Sequence, residues 1–252
     1  MRNLLIPIAF LIATAAAPAQ PPAKAGQLNF KNSVLEWHVG WPAEVSAIPA
    51  LLASIRDPAL ANKRELLKTA AADKADRGKQ GYPFNAYDSS VEVATVGSTA
   101  RLLSLTDDVS EFTGGAHPNH GTSAILWDRR LNKAVAFSSL FSSGPASVTA
   151  LLHKKYCAAL DTERAKRRGP DDRGAGTPAD DPFNQCPKFF SEVALIPEGK
   201  AGKPLTTITI HADPYVAGPY VEGDYDVSLA VTPALVAALK PHYRASFAPP
   251  AR

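Results

Sequence analysis

The amino-acid sequence predicts an α+β protein in which helices pack on a mostly antiparallel sheet, with two associated sub-domains. Segments that alternate apolar and polar residues follow one another directly through the middle of the chain, as they do in hairpins. Patterns with helical spacing lie before and after this strand-rich region. Because strands and helices do not alternate as regular βαβ units, we expect no doubly wound parallel sheet.

The N-terminal third begins with a strand and a helical region. Residues 34–41 alternate apolar and polar side chains, which predicts a half-buried strand that ends before Pro42. Apolar residues at helical spacing then predict a helix over 48–55 and again over 60–75. Asp57-Pro58 interrupts the pattern, because proline inside a helix removes a hydrogen bond and clashes with the preceding turn.

Most later segments have the pattern of short strands. Residues 205–210 are rich in β-branched side chains, which fit a pleated surface well. Helices are predicted to begin at Gly144-Pro145 and at Thr232-Pro233, because proline is well tolerated in a first helical turn. The remaining strand segments are 87–96, 100–109, 123–128, 134–137, 189–196 and 225–231.

The N-terminus has the pattern of an export signal. Arg2 precedes an apolar run, and small residues follow before Gln20, which predicts a signal peptide over residues 1–19. A membrane anchor is less favoured, because the run is shorter than the ~20 residues that cross a bilayer. A Pro/Ala-rich linker is predicted over 20–27. We therefore expect a periplasmic or secreted protein with no transmembrane helix in the mature chain.

Two cysteines remain in this predicted exported chain, and an even number favours a disulfide. A Cys157–Cys186 bridge would close a loop of 29 residues around a segment rich in Arg, Asp, Gly and Pro. We predict a flexible insertion over 161–185, tied to the body by a bridge that contributes ~3 kcal/mol. Two free buried thiols are the alternative.

The charge pattern excludes one class of partner. The formal net charge is +3, and basic residues are scattered among acidic ones. This pattern lacks the basic patch of a nucleic-acid-binding protein, so no nucleic-acid partner is expected. The sequence also predicts no cofactor.

The segment 111–121 contains two adjacent glycines, a His-Pro pair and a final glycine between two predicted strands. Three interpretations stay open. His117 and His120 can bind a metal, but two histidines three residues apart are a weak signal, and no metal site is predicted. His117 can act as a general base beside a neighbouring carboxylate, although no nucleophile motif such as GxSxG is present. The favoured interpretation is structural, with His117 bonded to backbone across the loop. The carboxylates considered as its partners are Asp107, Asp108 and Glu111.

The segment 213–224 has the composition of a binding loop. Pro214 and Pro219 stiffen it, while Tyr215 and Tyr220 present broad amphipathic side chains. A rigid loop that presents tyrosine loses little entropy on binding, which suits recognition. The alternative is that both rings pack on the body and only shape the connection. Three nearby carboxylates can mimic or pair with a charged partner or can simply be solvated, and solvation is favoured: Glu222, Asp224 and Asp226.

Three ordered segments carry a resemblance to a known family. Residues 112–119 (FTGGAHPN) resemble its aromatic-Thr-Gly-Gly-Ala-His signature, 190–199 its second marker, and 213–220 its aromatic-proline loop. The family consists of exported domains of unknown function. It includes the extracellular domain of the anti-sigma factor RsiV and the non-catalytic N-terminal region of the deacetylase PdaC. The resemblance covers residues 28–242.

The resemblance implies an α+β fold in two parts, a PdaC-like part over 28–112 and an RsiV-like part over 113–242, followed by a disordered tail over 243–252. It also implies a binding role, since the RsiV domain senses lysozyme by binding it. The sequence shows neither a sigma-binding segment nor a deacetylase domain. We therefore expect a non-catalytic binding module for a lysozyme-like protein or a peptidoglycan component. His117 is included with the aromatic-proline loop as a predicted binding residue. A cell-wall hydrolase that uses His117 with a carboxylate, and a structural envelope protein, are the alternatives.

Overall fold

The computed structural model describes residues 24–169 and 181–251. The predicted signal peptide, residues 20–23 of the predicted linker and residues 170–180 of the predicted insertion lie outside these ranges.

A six-stranded sheet forms the first half of the described chain, with the strands in sequence order. Every neighbouring pair is antiparallel except β2 and β3, which are parallel. A parallel pair needs a crossover connection, and here a long helix supplies it. The strands are β1 (Gly26–Lys31), β2 (Leu35–Trp41), β3 (Tyr87–Ser98), β4 (Leu102–Phe112), β5 (Asn119–Asp128) and β6 (Lys133–Ala134). The prediction of a mostly antiparallel α+β fold is confirmed.

The crossover contains a short helix, α1 (Ala43–Ser46), and a long helix, α2 (Pro49–Gln80). The prediction of an interruption at Asp57-Pro58 was wrong, because α2 runs through Pro58 without a break. Ile55 and Ala59, on either side of this proline, are both buried on the sheet side. Packing of this face therefore outweighs the cost of one lost backbone hydrogen bond.

The second half contains a three-stranded antiparallel sheet in the order β7-β8-β9. Its strands are β7 (Ala194–Glu198), β8 (Thr207–Ala212) and β9 (Tyr225–Ala230). The helices are α3 (Pro145–Val148), a π-helical turn (Thr149–His153), α4 (Lys154–Arg168) and α5 (Pro233–Ala238), with 3₁₀ turns at Phe137–Leu140, Pro182–Asn184, Tyr220–Glu222 and Pro241–Ser246. None of the helices in the two described ranges is both long enough and apolar enough to cross a bilayer.

The six-stranded sheet separates the hydrophobic core into two layers. Successive side chains of a strand point to opposite faces. Leu103 and Leu105 of β4 accordingly join the cluster beneath α2. Leu102 and Leu126 instead join the large cluster formed by the second sheet and α4. The same sheet therefore supports both halves of the molecule.

The predicted boundaries need three corrections. A division after residue 112 separates β4 from β5, although these strands pair along their length within one sheet. The last two residues of the predicted linker belong to β1. The C-terminal segment is not a disordered tail, because Tyr243 and Phe247 are buried and Phe247 bridges to Leu205. These aromatic rings complete the apolar cluster of the second half.

The disulfide between Cys157 and Cys186 is confirmed, with 5.4 Å between the two Cα atoms. The segment around it is more regular than predicted. Helix α4 extends to Arg168, and Arg164 is buried, where its Nε donates to the carbonyl of Ala217 at 2.9 Å. The prediction of a flexible insertion over 161–185 was therefore wrong for 161–168, since the helix face packs on the body.

Candidate functional site

Two loops that are about 100 residues apart in the sequence lie against each other. The His-Pro loop (residues 113–118) connects β4 to β5, and the aromatic-proline loop (213–224) connects β8 to β9. The rings of His117 and Tyr220 stack with their centroids 4.0 Å apart. The Tyr220 hydroxyl donates to the Pro118 carbonyl at 2.9 Å. This contact fixes the position of both loops.

Two glycines, one in the His-Pro loop and one in the strand that follows it, have specific roles. Gly114 has a φ of +92°, a conformation that residues with a Cβ rarely adopt. Gly121, the third residue of β5, lies so close to Asp213 that a Cβ would stand 3.2 Å from the Asp213 carboxylate. The first glycine permits the turn, and the second permits the aromatic-proline loop to approach the strand.

Three aromatic rings form a surface that we call the aromatic platform, consisting of His117, Tyr215 and Tyr220. The Tyr215 ring lies 5.6 Å from the Tyr220 ring and is 55 % exposed. Val221, the residue that follows Tyr220 in the sequence, is 90 % exposed. Tyrosine and valine in such positions are available to a partner rather than used in the core. The predicted alternative, in which both tyrosine rings pack into the body, is wrong for Tyr215.

The aromatic-proline loop is rigidly held at its C-terminal end. Arg168 of α4 donates to both carboxylate oxygens of Glu222 at 2.8 and 2.9 Å, and the Tyr225 hydroxyl also donates to this carboxylate. Burial opposes the charge of Glu222, but these hydrogen bonds hold its pKa below the usual value. The prediction of a merely solvated carboxylate was wrong for Glu222. Pro219 directly precedes the 3₁₀ turn, of which Tyr220 is the first residue.

An open cleft of about 410 Å³, which we call the acidic cleft, lies at the edge of β5 beside the aromatic-proline loop. No lysine or arginine is among its described lining residues, which are Asp107, Val109, Glu111, Asn119, His120, Gly121, Thr122, Ser123 and Asp213. Burial, and then the negative charge of Asp108, raise the pKa of Asp107. Its Oδ1 has no hydrogen-bond partner among the described residues.

A second groove, of about 370 Å³, lies on the other side of β4 and β5 and is also acidic. Asp108, Glu198 and Asp226 line it. Alternation along β4 places Asp107 in the first groove and Asp108 in the second. Carboxylates consequently surround the β5 edge on both sides.

Between the two grooves lies a His–Asp cluster, formed by His120, His211, Asp213 and Asp224. His211 Nε2 is 3.0 Å from Asp213 Oδ1, and its Nδ1 is 2.8 Å from Asp226 Oδ1. His120 Nε2 is 3.1 Å from Asp224 Oδ1. The cluster thus joins the β5 edge to both ends of the aromatic-proline loop.

Burial opposes the charged form of His211, but the hydrogen bonds to Asp213 and Asp226 outweigh it and raise the pKa of His211 to about 10. Asp213 also accepts the backbone N–H of Thr122 at 2.8 Å. Burial alone would raise the pKa of Asp213, yet the hydrogen bonds from His211 and Thr122 hold it below the usual value.

The structure brings together the residues that the sequence predicts as a binding surface. Pro214, Tyr215, Pro219 and Tyr220 share one loop, and His117 joins them through its stacking on Tyr220. Their role in binding remains a prediction.

The structure does not bring His117 and His120 together as a metal pair. His117 Nδ1 lies 2.9 Å from the Pro118 carbonyl, whereas His120 faces Asp224. Within residues 24–169 and 181–251, no hydrogen bond or ion pair joins His117 to a carboxylate. The favoured structural interpretation agrees in part with these contacts: His117 is bonded to backbone, but to the residue that follows it rather than across the loop.

Sequence reasoning missed His211 and the role of Asp213. The signal is the spacing His211-Ala212-Asp213 at the end of β8. Residues two apart in a strand point to the same face, so this spacing places an imidazole beside a carboxylate. Asp226 lies directly opposite His211 in the β8–β9 register.

The two sheets, the aromatic platform and the acidic grooves define an α+β protein with exposed aromatic rings beside clustered carboxylates. The sequence model of the family described as Deacetylase PdaC matches residues 28–120. The fold is that of DUF3298 family proteins. One, from Pseudomonas aeruginosa PAO1, superimposes with a TM-score of 0.54 at 17% identity over 92% of this chain and 99% of that chain.

A second DUF3298 family member, from Bacteroides fragilis NCTC 9343, superimposes with a TM-score of 0.52 at 12% identity over 82% of this chain and 90% of that chain. At these identities the likeness concerns the fold. A comparison with curated proteins finds no match. The chain thus carries a PdaC-like domain, within the fold of the DUF3298 family.

Proposed function

We propose that this protein is an exported, non-catalytic binding module whose partner is a protein with a basic surface, of the lysozyme-like type. The observation that carries the proposal is the exposed aromatic platform beside the acidic cleft. Platform and cleft meet at the aromatic-proline loop, which contributes Tyr215 to the first and Asp213 to the second.

The aromatic platform supports binding because it offers apolar area at a low entropic cost. Tyr215 is exposed, and the hydrogen bonds of Tyr220 and Glu222 hold the loop in one conformation. A preorganised loop with tyrosine side chains loses little freedom when it meets a partner. Tyrosine is also among the residues that contribute most binding energy in protein interfaces.

The charge around the platform supports a basic partner. Carboxylates line both grooves at the β5 edge, although the chain as a whole has a formal net charge of +3. Such local charge steers a partner of opposite sign and fixes its orientation. A lysozyme-like protein is the proposed partner because the sequence resembles a family in which one domain binds lysozyme.

Export is part of this proposal. The Cys157–Cys186 disulfide supports an oxidising compartment, since such bridges persist mainly outside the cytoplasm. The predicted signal peptide agrees with this location.

The hydrolase alternative has less support. The Nδ1 atom of His117 lies 2.9 Å from the carbonyl of Pro118, and none of the hydrogen bonds or ion pairs among the described residues joins His117 to the carboxylate that this mechanism requires. The alternative of a structural envelope protein predicts no open cleft near residues 214–220, whereas the acidic cleft adjoins this segment.

The proposal is tested by measuring the binding of the purified chain to a c-type lysozyme and to soluble muropeptides by biolayer interferometry. We expect saturable lysozyme binding that weakens as salt is raised, because screening reduces attraction between exposed charges. Tyr215→Ala should weaken it at least tenfold, the loss of about 1.4 kcal/mol of binding energy.

The matched control is Tyr82→Ala, which removes another exposed tyrosine, 62 % exposed and outside both loops. It should bind as wild type does. Equal binding by wild type and by a Tyr215→Ala, Tyr220→Ala double variant would refute the assigned surface. Binding of muropeptides in place of lysozyme would replace the proposed partner by a glycan. Release of product from labelled peptidoglycan that is lost in His117→Ala would promote the hydrolase instead.

A further inference from the structure

The His–Asp cluster has the donor set of a metal site. His211, Asp213 and Asp224 each place one ligand atom within 4.8 Å of the others. His120 Nε2 lies 3.1 Å from the Asp224 carboxylate and contributes a second imidazole. Two imidazole nitrogens and two carboxylate oxygens are the ligand types that zinc and similar divalent transition metals bind in proteins.

We propose that His120, His211, Asp213 and Asp224 form a binding site for a divalent transition metal ion, with Zn²⁺ as the representative. This inference departs from the prediction of no metal site that the sequence alone gave. It concerns a cluster that sequence reasoning did not assemble, since its members come from three separate segments of the chain.

Part of the cluster already has spacing close to that of tetrahedral coordination. Zinc–ligand distances of 2.0–2.2 Å place neighbouring ligand atoms of a tetrahedron about 3.4 Å apart. His211 Nε2 and Asp213 Oδ1 are 3.0 Å apart, and His120 Nε2 and Asp224 Oδ1 are 3.1 Å apart. His120 is outside the group whose ligand atoms all lie within 4.8 Å of one another, so its imidazole must turn towards His211 and Asp213 to complete the site.

The surroundings of His211 resemble those of a metal-binding histidine. Its Nε2 faces the cluster while its Nδ1 is bonded to Asp226, which is outside the proposed ligand set. Histidine ligands commonly donate their second N–H to a carboxylate, which fixes the tautomer and orients the ring. The direct pairing of His211 with Asp226 across β8 and β9 holds this arrangement on rigid strands.

Access and charge also favour an ion. His211 is buried, whereas the side chains of His120, Asp213 and Asp224 are each between 34 and 38 % exposed, so an ion can enter from the solvent side. Asp213 is itself oriented by the Thr122 backbone N–H. Binding of the ion to His211 Nε2 would release the proton that this atom shares with Asp213, and the two aspartates supply the negative charge that a dipositive ion requires.

Such an ion would brace the proposed binding surface. Asp213 begins the aromatic-proline loop and Asp224 ends it, while His120 belongs to β5 next to the His-Pro loop. One ion would therefore hold both ends of the loop against the strand. The metal site stands on its own geometry; its effect on partner binding rests on the function proposed above.

Isothermal titration calorimetry of the full chain, prepared without a histidine tag and freed of metal with EDTA, tests the site. Zn²⁺ should bind with one ion per chain, and Ca²⁺ should not compete, because it prefers six or more oxygen ligands. His120→Gln and Asp224→Asn should each weaken zinc binding at least tenfold. Asp226→Asn should weaken it about tenfold to 100-fold through the orientation of His211.

The matched control is His242→Gln, which removes a histidine outside the proposed ligand set whose ring lies 4.3 Å from that of Tyr243. It should leave zinc binding unchanged. Absence of saturable zinc binding to wild type would overturn the proposal, as would wild-type affinity in both His120→Gln and Asp224→Asn. Circular dichroism verifies that each variant is folded. Since lysozyme is absent from this titration, its outcome does not depend on the proposed function.

Discussion

Two polar clusters connect the six-stranded sheet to the second half of the molecule, and they differ in how completely the protein satisfies them. In the first, Asp128 is 0 % exposed and accepts from Arg101, from the Tyr243 hydroxyl and from the backbone N–H groups of Arg130 and Leu131. In the second, the His–Asp cluster, the side chains of His120, Asp213 and Asp224 are about one-third exposed, and the two carboxylates lie within 4.8 Å of each other.

The difference distinguishes a structural cluster from a candidate binding cluster. Buried charges are stable only when donors surround them, and Asp128 has its donors within the fold. Burial alone would raise the pKa of Asp128, but its hydrogen bonds from Leu131, Tyr243 and Arg101 hold that pKa below the usual value. In the His–Asp cluster, by contrast, His120 is the one hydrogen-bond partner of the Asp224 carboxylate among the described residues, which leaves acceptor positions for a ligand.

The largest expected effect comes from removing a charge from the first cluster, which we call the closed cluster because protein donors surround Asp128. Asp128→Asn removes the negative charge beside Arg101, whose side chain is only 15 % exposed. Loss of one partner of a buried pair costs about 3–5 kcal/mol, so the free energy of unfolding should fall by that amount. Urea unfolding monitored by circular dichroism measures it. Asp76→Asn, at an exposed helix position, is the control and should change stability by less than about 0.5 kcal/mol.

In the His–Asp cluster, which we call the open cluster, the same kind of substitution should have little effect on the stability of the metal-free protein. In EDTA, Asp224→Asn should change the free energy of unfolding by less than about 1 kcal/mol, because its side chain is partly solvated. Zinc at 100 times its dissociation constant should stabilise the wild type by about 2.7 kcal/mol and the variant by much less. Thermal unfolding with and without zinc measures both values. Equal zinc stabilisation of the two proteins would contradict the difference drawn between the clusters.

Low pH should also reduce the stability that the closed cluster around Asp128 contributes. The folded-state pKa of Asp128 is lowered, so its contribution to stability is present above its unfolded pKa of about 3.9 and is lost as pH falls through the lower folded value. The free energy of unfolding of wild type should therefore decrease below pH 4 more steeply than that of Asp128→Asn. Urea unfolding at several pH values between 2 and 6 gives the two slopes. Parallel slopes would show that Asp128 titrates alike in both states.

The smallest effect concerns the aromatic platform. Tyr215 has a φ of +70°, a strained conformation for a residue with a Cβ. Tyr215→Gly should relieve this strain and raise the free energy of unfolding by up to about 1 kcal/mol, offset in part by the freedom of glycine in the unfolded chain. The same variant should weaken partner binding. Asn132→Gly is the matched control. Because asparagine tolerates a positive φ, its replacement by glycine should raise the free energy of unfolding less. A destabilised Tyr215→Gly would show that the ring contributes to folding.

The order of elements could be predicted from the sequence because strand and helix patterns are local. The β-branched segment before His211 and the proline-capped start of α5 are both present in the structure. Strand β1 was missed, since the alternation of Leu28 and Phe30 is short and adjoins a Pro/Ala-rich segment. The C-terminal aromatic residues were missed because only tertiary packing orders them.

The candidate site could be predicted only in part. Two loops were identified from their glycine, proline and aromatic content, which reflects local backbone demands. Their contact could not be predicted, because His120 and Asp224 are 104 residues apart in the sequence. The spacing of His211 and Asp213 was a usable local signal, whereas their neighbours come from strand pairing.

The long hairpin of β4 and β5 has a consequence for dividing this protein into parts. The family match ends at residue 120, yet β5 begins at Asn119 and pairs with β4 as far as Asp128. A recombinant piece cut at residue 120 would leave most of β4 as an unpaired edge and remove Trp127 from the apolar cluster around Leu103 and Leu105. Unprotected edges of this kind promote aggregation. The unit recognised by sequence similarity is therefore shorter than the unit able to fold, and expression of the sheet requires the chain to continue at least to Ala134.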